Sequence, residues 1–559
     1  MPLPSLVSRG SNAATTARRR VLPGGLRTLR LHWVPVALTA IILGGACARF
    51  LGVSWGLPLE LHADEWVVVD GAIDMAKRHS FEPGFFFRPD HVEMQLSNLA
   101  YLVYAHLLHG SAPEGLYAAN SAPFILISRT ITACFGVAMI VVAYLIGKRF
   151  TRAIGIMTAF LVAFFPLFIE ESHFATPDVP LSLTLMVVIL GCMRYLDSPS
   201  WGNLLLACLG VSVATATKYP GALGAIMIAI TVITSAIQAR AWRRLLVHGT
   251  AALAAVVGFL FAISPILFTN FHEVASQLTA QAGDTHLGAD SLGWSGNMGF
   301  YAATFATSVG IILLVSFALG AVWSVRLRLV QSLPLWLGAI YWVILSCLPL
   351  HWARWGLPMY LTPLLFAPIG VYYTFKYLRD RNAGRWLRWG AIGLGALMAA
   401  NLVVGSVAAT AGYIAPDTRT VAKEDFAVRG VNKTNTVFEG YTPLSPGIPQ
   451  LAFAAFTVVN GRLVLNKDHS NSGIRYLVLS SSMYGRYNAD PKYVTQQRFY
   501  TLVNEQLPRL ATYDPATPGN PTVLEVTNIW NAATYVGQVA RGGLSGPTIK
   551  LYEIAAERG

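Results

Sequence analysis

Long apolar runs dominate the first three quarters of the chain, and short polar stretches cut them at intervals. A membrane-crossing helix needs about 20 predominantly apolar residues. Runs of that kind lie near 33–53, 123–147, 153–170, 179–194, 202–217, 220–238, 245–268, 300–323, 333–350, 355–375 and 387–409, which predicts about eleven spans. The stretch 54–122 between the first two is long. Within it VVVDGAIDMAKR has helical spacing, with Val67, Ala72, Met75 and Ala76 as its apolar positions. MQLSNLAYLVYAHLL is apolar and aromatic but short for a span. Both read as helices lying along a membrane interface. A crossing by the second would invert every later loop. From Tyr413 the pattern changes: Pro, Asn, Thr and charged residues rise. There TVFEGY, RLVLN, RYLVLSS and TIKLYEI read as strands, and TRTVAKEDFAV and TQQRFYTLVNEQL as helices.

The expected organisation is a disordered cytoplasmic leader at 1–32, a transmembrane domain at 33–410 and an extracytoplasmic α/β domain at 411–559. No internal repeat interrupts it. Composition agrees, with 54% hydrophobic and 12% charged residues, against roughly 25% charged in soluble domains. The net charge of +13 could suggest nucleic acid. Its distribution excludes that reading, because the bases cluster in alternate loops. One set holds Arg18 to Arg30, then Lys148, Arg149 and Arg152, then Arg194, then Arg240, Arg243 and Arg244, then Arg326 and Arg328, then Lys376 to Arg388. The other holds only Lys77, Arg78, Arg88, Lys218 and Arg354. By the positive-inside rule the N-terminus is cytoplasmic, and an odd number of spans puts the C-terminal domain outside the cytoplasmic membrane. The five cysteines all fall in apolar runs, so no disulfide framework holds the C-terminal part.

That topology brings two acidic sites to one membrane face. Asp64-Glu65 follows the first span in LHADEW, and Asp178 precedes the fourth in ESHFATPDVPLSL. Each has a plain reading as a residue at a helix start, where acids meet the helix dipole favourably or cap free N–H groups. Carboxylates from separate loops at one face also suit a reaction centre. The sparse bases of that face each stand beside aromatics: Arg88 in FFFRPDH, Lys218 in ATATKYPG, Arg354 in LHWARWGLP. They suit interfacial anchors and equally the cationic partners that a lipid-linked phosphate needs. His62, Tyr219, and His286 and Trp294 in the Gly-rich loop 269–299 are candidate substrate contacts. That loop lacks a metal-ligand spacing such as HExxH.

These motifs, in this order, resemble the GT-C membrane glycosyltransferases, in the family 39-like branch of protein O-mannosyltransferases and the lipid A aminoarabinose transferase. HADEW matches the acidic motif of the first outer loop, and ESHFATPDVPLSLTL the second. FRPDHVEMQLSNLAYL resembles their basic-proline stretch and interfacial helix. ATATKYPGAL is similar to their Thr-Lys-aromatic segment, ARWGLPMYLTPLLFAPIG to a late basic-aromatic helix, and RYLVLSSSMYGRY and GPTIKLYEI to the tail of bacterial members. The aminoarabinose transferase has Lys-Pro where Arg88-Pro89 aligns, and the C-terminal part is unlike the sugar-binding repeats of eukaryotic mannosyltransferases.

The resemblance implies a multi-span enzyme that moves one sugar from a polyprenyl-phosphate donor to a lipid, glycan or protein hydroxyl at the outer face of the cytoplasmic membrane, with inversion. It makes Asp64 the base, gives Glu65 and Asp178 orienting or metal-binding roles, and sets Arg88, Lys218 and Arg354 around the donor phosphate. Metal need stays open, since the relatives differ over it. The rival readings are en-bloc transfer of a whole glycan and a lipid-linked sugar flippase. Transporters put ionisable groups near the bilayer midplane and often show inverted repeats; here the ionisable groups lie at span ends.

Overall fold

The computed structural model of the chain describes residues 24–85, 89–281, 293–348, 351–382, 384–445, 451–466, 473–489, 492–516 and 529–554. Each of the eleven apolar runs forms a helix or a broken pair of helices. α1 (Gly24–Phe50) starts ahead of the first run. α2 (Glu65–Lys77), α3 (His91–Leu102) and α4 (Pro113–Ala119) occupy the long first loop. α5 (Ala122–Gly147) follows. The third run is split into α6 (Arg152–Ala163) and α7 (Pro166–Glu171), because Pro166 cannot donate the hydrogen bond that would continue α6 but suits the first position of a new helix. Then come α8 (Asp178–Asp197), α9 (Trp201–Thr217), α10 (Gly224–Ala239), α11 (Trp242–Ile263), α12 (Ile266–Thr269), α13 (Phe271–Gln281) and α14 (Gly293–Arg326). α15 (Leu337–Leu345), α16 (Leu361–Asp380) and α17 (Arg385–Ile414) complete the helical part.

Among the described residues seven helical stretches are long and apolar enough to cross a membrane, in α1, α5, α8, α10, α11, α14 and α17. α6, α9 and the Val330–Leu345 stretch are shorter apolar helices. α16 matches a predicted run as well, but Lys376, Arg379 and Asp380 fall in its last turns.

Burial separates the helices into two kinds. α8 is central, with most of its length, from Asp178 through Met193, packed among neighbours on all sides. α11 buries only Ala252 and leaves Leu246, Leu253, Val257 and Phe261 exposed. α17 likewise exposes Leu387, Ile392, Leu394 and Leu397. Apolar faces of that size are costly in water and natural against lipid. α14 and α16 cross at two glycines. A Cβ on Gly320 would strike the carbonyl of Phe366, and one on Gly370 that of Ser316. In the first loop, α2 differs from a simple interfacial helix, because Val67, Val68, Val69, Ala72 and Met75 are all covered by protein. α3 and the π-helical turn after it do leave an apolar row open, at Leu96, Leu99, Val103 and Leu107.

The C-terminal region is α/β. α18 (Thr418–Arg429) is capped by Asp417, whose carboxylate accepts from the Arg419 amide at 2.8 Å. β1 (Thr436–Phe438), β4 (Tyr476–Ser480), β5 (Arg509–Tyr513) and β6 (Ile549–Glu553) form one sheet in the order β1-β4-β6-β5, parallel only between β1 and β4. β2 (Phe456–Val459) and β3 (Arg462–Leu465) make a hairpin closed by Asn460-Gly461, both at positive φ as such a two-residue turn requires. Helices Ser481–Ala489, Val494–Gln506 and Ile529–Ala540 complete the region. The last of these docks on α17 through Ala532 and Tyr535 against Ala408.

Candidate active site

The backbone places Asp64 at the N-cap position of α2, yet its side chain makes no capping hydrogen bond. The carboxylate is instead paired with the Arg354 guanidinium, and each side chain keeps 25% of its surface exposed. A substrate could therefore reach either group. Asp178 opens α8 after the N-cap residue Pro177; it is 3% exposed and bonded to Lys218 Nζ at 2.7 Å. Lys218 ends α9 on an extended backbone, and its ammonium lies 5.6 Å from the centre of the Trp355 ring. The two ion pairs thus meet at Arg354-Trp355. Arg354 also feels Asp178 and Glu171 electrostatically. Burial works to lower its proton affinity, but these three carboxylates raise it further, so the guanidinium stays charged.

Glu171, at the end of α7, is the third acid. It is buried, and its Oε2 has no hydrogen-bond partner among the described residues. Burial, then Asp178, push its carboxyl well above the usual range. The cluster therefore sets the Asp64 and Asp178 carboxylates against two cations, with the Glu171 carboxyl alongside.

Glu65 plays a different part from its neighbour. It is 1% exposed and receives both arms of the Arg129 guanidinium, Nε and Nη2, at 2.7 Å. The Ala175 amide donates to the same carboxylate at 2.9 Å. Burial raises its pKa, and Arg129 with Ala175 more than offsets that, holding the carboxyl below its usual range. Arg129 also donates to the carbonyls of Val53 and Trp55, at 3.1 and 2.7 Å. Glu65 is thus the bracket between the loop that carries Asp64 and the loop that carries Asp178.

His62 Nδ1 accepts from the Asp64 amide at 3.3 Å, and its ring stacks on Phe174 with centroids 4.2 Å apart. Burial takes its pKa down to about 4, although Glu65 and Asp64 oppose that, so the ring is neutral. Tyr219 follows Lys218 in a 3-10 turn and packs against Ile266, Leu267 and Val274. Trp294, 53% exposed at the start of α14, is not part of the ion cluster. Arg88 and His286 lie outside the described residues.

The sequence reading passed over Arg129 and Glu171. Arg129 stood out in principle as a charge inside the apolar run 123–147, since such a charge needs a buried partner. Glu171 lay in the quoted second acidic stretch, as an acid pair with Glu170 at a span end. Among the described residues no group of three or more His, Cys, Asp or Glu is arranged to hold a metal ion.

Residues 125–268 match the family described as dolichyl-phosphate-mannose-protein mannosyltransferase. Comparison with curated proteins gives no match. Among solved structures, the crystal structure of ArnT from Cupriavidus metallidurans in the apo state aligns with a TM-score of 0.45 at 14% identity, covering 86% of this chain and 96% of that one. The same protein bound to undecaprenyl phosphate aligns with a TM-score of 0.46 at 13% identity, over 93% and 98%. Over the stretch that carries Arg129, Glu171, Asp178 and Lys218, then, the chain is similar to the protein mannosyltransferases, a GT-C membrane glycosyltransferase family, as the order of its motifs implies.

Proposed function

We propose that the chain is a membrane glycosyltransferase that takes one sugar from a polyprenyl-phosphate donor and attaches it to an acceptor hydroxyl, with inversion, at the outer face of the cytoplasmic membrane. The observation that carries this reading is the pairing of Asp64 with Arg354 beside the Asp178–Lys218 pair. The family match over residues 125–268 supports the reaction class.

In this reaction the acceptor oxygen forms a bond to the anomeric carbon as the bond from that carbon to the phosphate oxygen breaks. The bonding electrons leave with the phosphate, and the acceptor proton passes to a base. Asp64 is that base, being the partly exposed carboxylate. Arg354 and Lys218 stabilise the negative charge that grows on the departing phosphate. Before the donor binds, Arg354 is occupied by Asp64. A donor phosphate competes for the same guanidinium, and its arrival releases Asp64 to accept a proton. Asp178 keeps Lys218 oriented.

The test is a deletion strain whose cell-envelope glycans are followed by mass analysis, complemented with the wild-type chain or with Asp64→Asn. Loss of a general base costs about 10²–10⁴-fold in rate. Asp64→Asn is nearly isosteric, so it is expected at normal abundance in the membrane with no restored glycan. Full restoration by Asp64→Asn would overturn the reading.

A further inference from the structure

We propose that the C-terminal α/β region is part of the catalytic framework. Arg419 and Arg486 act as positioning residues, holding the two segments whose side chains meet in the Asp64–Arg354 pair. The inference rests on the function proposed above.

Arg419 stands in the first turn of α18 and is 4% exposed. Asp417 grips its guanidinium from two sides, Nε at 2.8 Å and Nη2 at 2.9 Å. The third nitrogen, Nη1, donates to the carbonyl of Leu61 at 2.8 Å, and the cation lies 5.4 Å from the Trp55 ring centre. Leu61 is itself buried and lies just ahead of Asp64 in LHAD. The Trp55 ring also receives Arg129, at 5.7 Å, so the brace from the C-terminal region joins the Glu65 bracket at one indole.

Arg486, on helix Ser481–Ala489, reaches the other segment. Its guanidinium lies 5.5 Å from the Trp352 ring centre and 5.0 Å from that of Tyr441, and Nη2 donates to the Tyr441 hydroxyl at 3.2 Å. Tyr441 holds a φ of 60°, a conformation that costs a non-glycine residue energy and fixes where its ring points. Trp352 is the residue from which the turn Ala353–Tyr360 starts, and Arg354 is in that turn.

Attachment of the C-terminal region does not account for these contacts. Its docking on α17 is apolar and runs through Ala408, Ala532 and Tyr535. The two arginines add something separate: each reaches one of two chain segments far apart in sequence, and those segments carry opposite halves of one ion pair. A guanidinium suits that work, because it is planar, always charged and able to stack and donate at once. Misplacing a reacting group by about 1 Å can cost about 10²-fold in rate.

The experiment uses the full chain, with envelope-glycan restoration in the deletion strain as the activity readout and binding of a polyprenyl monophosphate to purified protein as the second. Arg486→Ala is expected to lower restoration about 10- to 100-fold and to weaken polyprenyl-phosphate binding, with the unfolding temperature little changed. Arg486→Gln, similar in reach but neutral, should fall with it, and Arg486→Lys, which keeps a cation over Trp352, should recover most of the activity. The double variant Arg486→Ala/Trp352→Ala should be no worse than the worse single variant, because both break one contact. Arg498→Ala, on the exposed side of the same region, is the control and should behave as wild type. Inactive Asp64→Asn together with fully active Arg486→Ala and Arg486→Gln would overturn this inference alone. So would additive losses in the double variant. Active Asp64→Asn would instead overturn the reading on which it rests.

Discussion

Arg354 has two tasks in the proposed cycle, holding Asp64 before the donor arrives and the phosphate afterwards. Both use the planar fork of the guanidinium. Arg354→Lys keeps the charge but loses that fork, and turnover should drop about 10-fold or more; a simple interfacial anchor would tolerate the change. Polyprenyl-phosphate binding and glycan restoration measured together check this, and normal values for both would remove Arg354 from the phosphate site. At this scale the sequence was partly legible. Asp64, Asp178, Lys218 and Arg354 could be assigned to one face because loop charge alone reports sidedness. Which acid takes which base could not be read, since that depends on where helix ends meet. The plain helix-start reading of Asp64 and Asp178 was equally compatible with the sequence, and the pairing of Asp64 with Arg354 and of Asp178 with Lys218 separates it from the other.

At the scale of elements, the Glu65–Arg129 bracket decides where the loop before α2 lies against α5 and the segment before α8. Removing one partner of a buried pair leaves the other charge uncompensated, at a cost of about 3–5 kcal/mol. Glu65→Ala should therefore unfold at clearly lower temperature or denaturant than wild type. Replacing both residues together with apolar ones of similar volume should regain much of that stability, yet leave activity low, because the tie to Ala175 is gone. Denaturant unfolding in detergent, beside the glycan assay, tests both halves; a fully active double variant would show that the bracket does not position Asp64. The sequence showed an acid pair here and gave no reason to split it, because the partner lies in another helix. In the C-terminal region the four strands with strong β-branched or aromatic patterns were legible. β2 was passed over although its FTVV is aromatic or β-branched throughout, and β5 and helices Ser481–Ala489 and Ile529–Ala540 were not legible, being composed of residues that suit several conformations.

For the whole molecule, the apolar runs were legible because a membrane helix must satisfy its backbone internally and show apolar side chains for its full length. What the runs hid was their unequal exposure: α8 is enclosed while α11 and α17 face outward. The orientation still rests on loop charge. Reporter fusions at Gln238 and Asp417 are expected on opposite sides of the membrane, with Gln238 cytoplasmic. Finding both on one side would remove Asp64 and the C-terminal region from a common face.

The bond from Arg419 to Leu61 and the pairing of Arg354 with Asp64 also set an order of assembly. The ribosome delivers the acidic loop early, when neither arginine has been made. Until translation passes residue 354, Asp64 lacks its Arg354 partner, and until it passes residue 419, the loop that carries it lacks the bond to Leu61. A chain stalled or clipped before residue 354 would hold the Glu65–Arg129 and Asp178–Lys218 pairs but not the partner of Asp64.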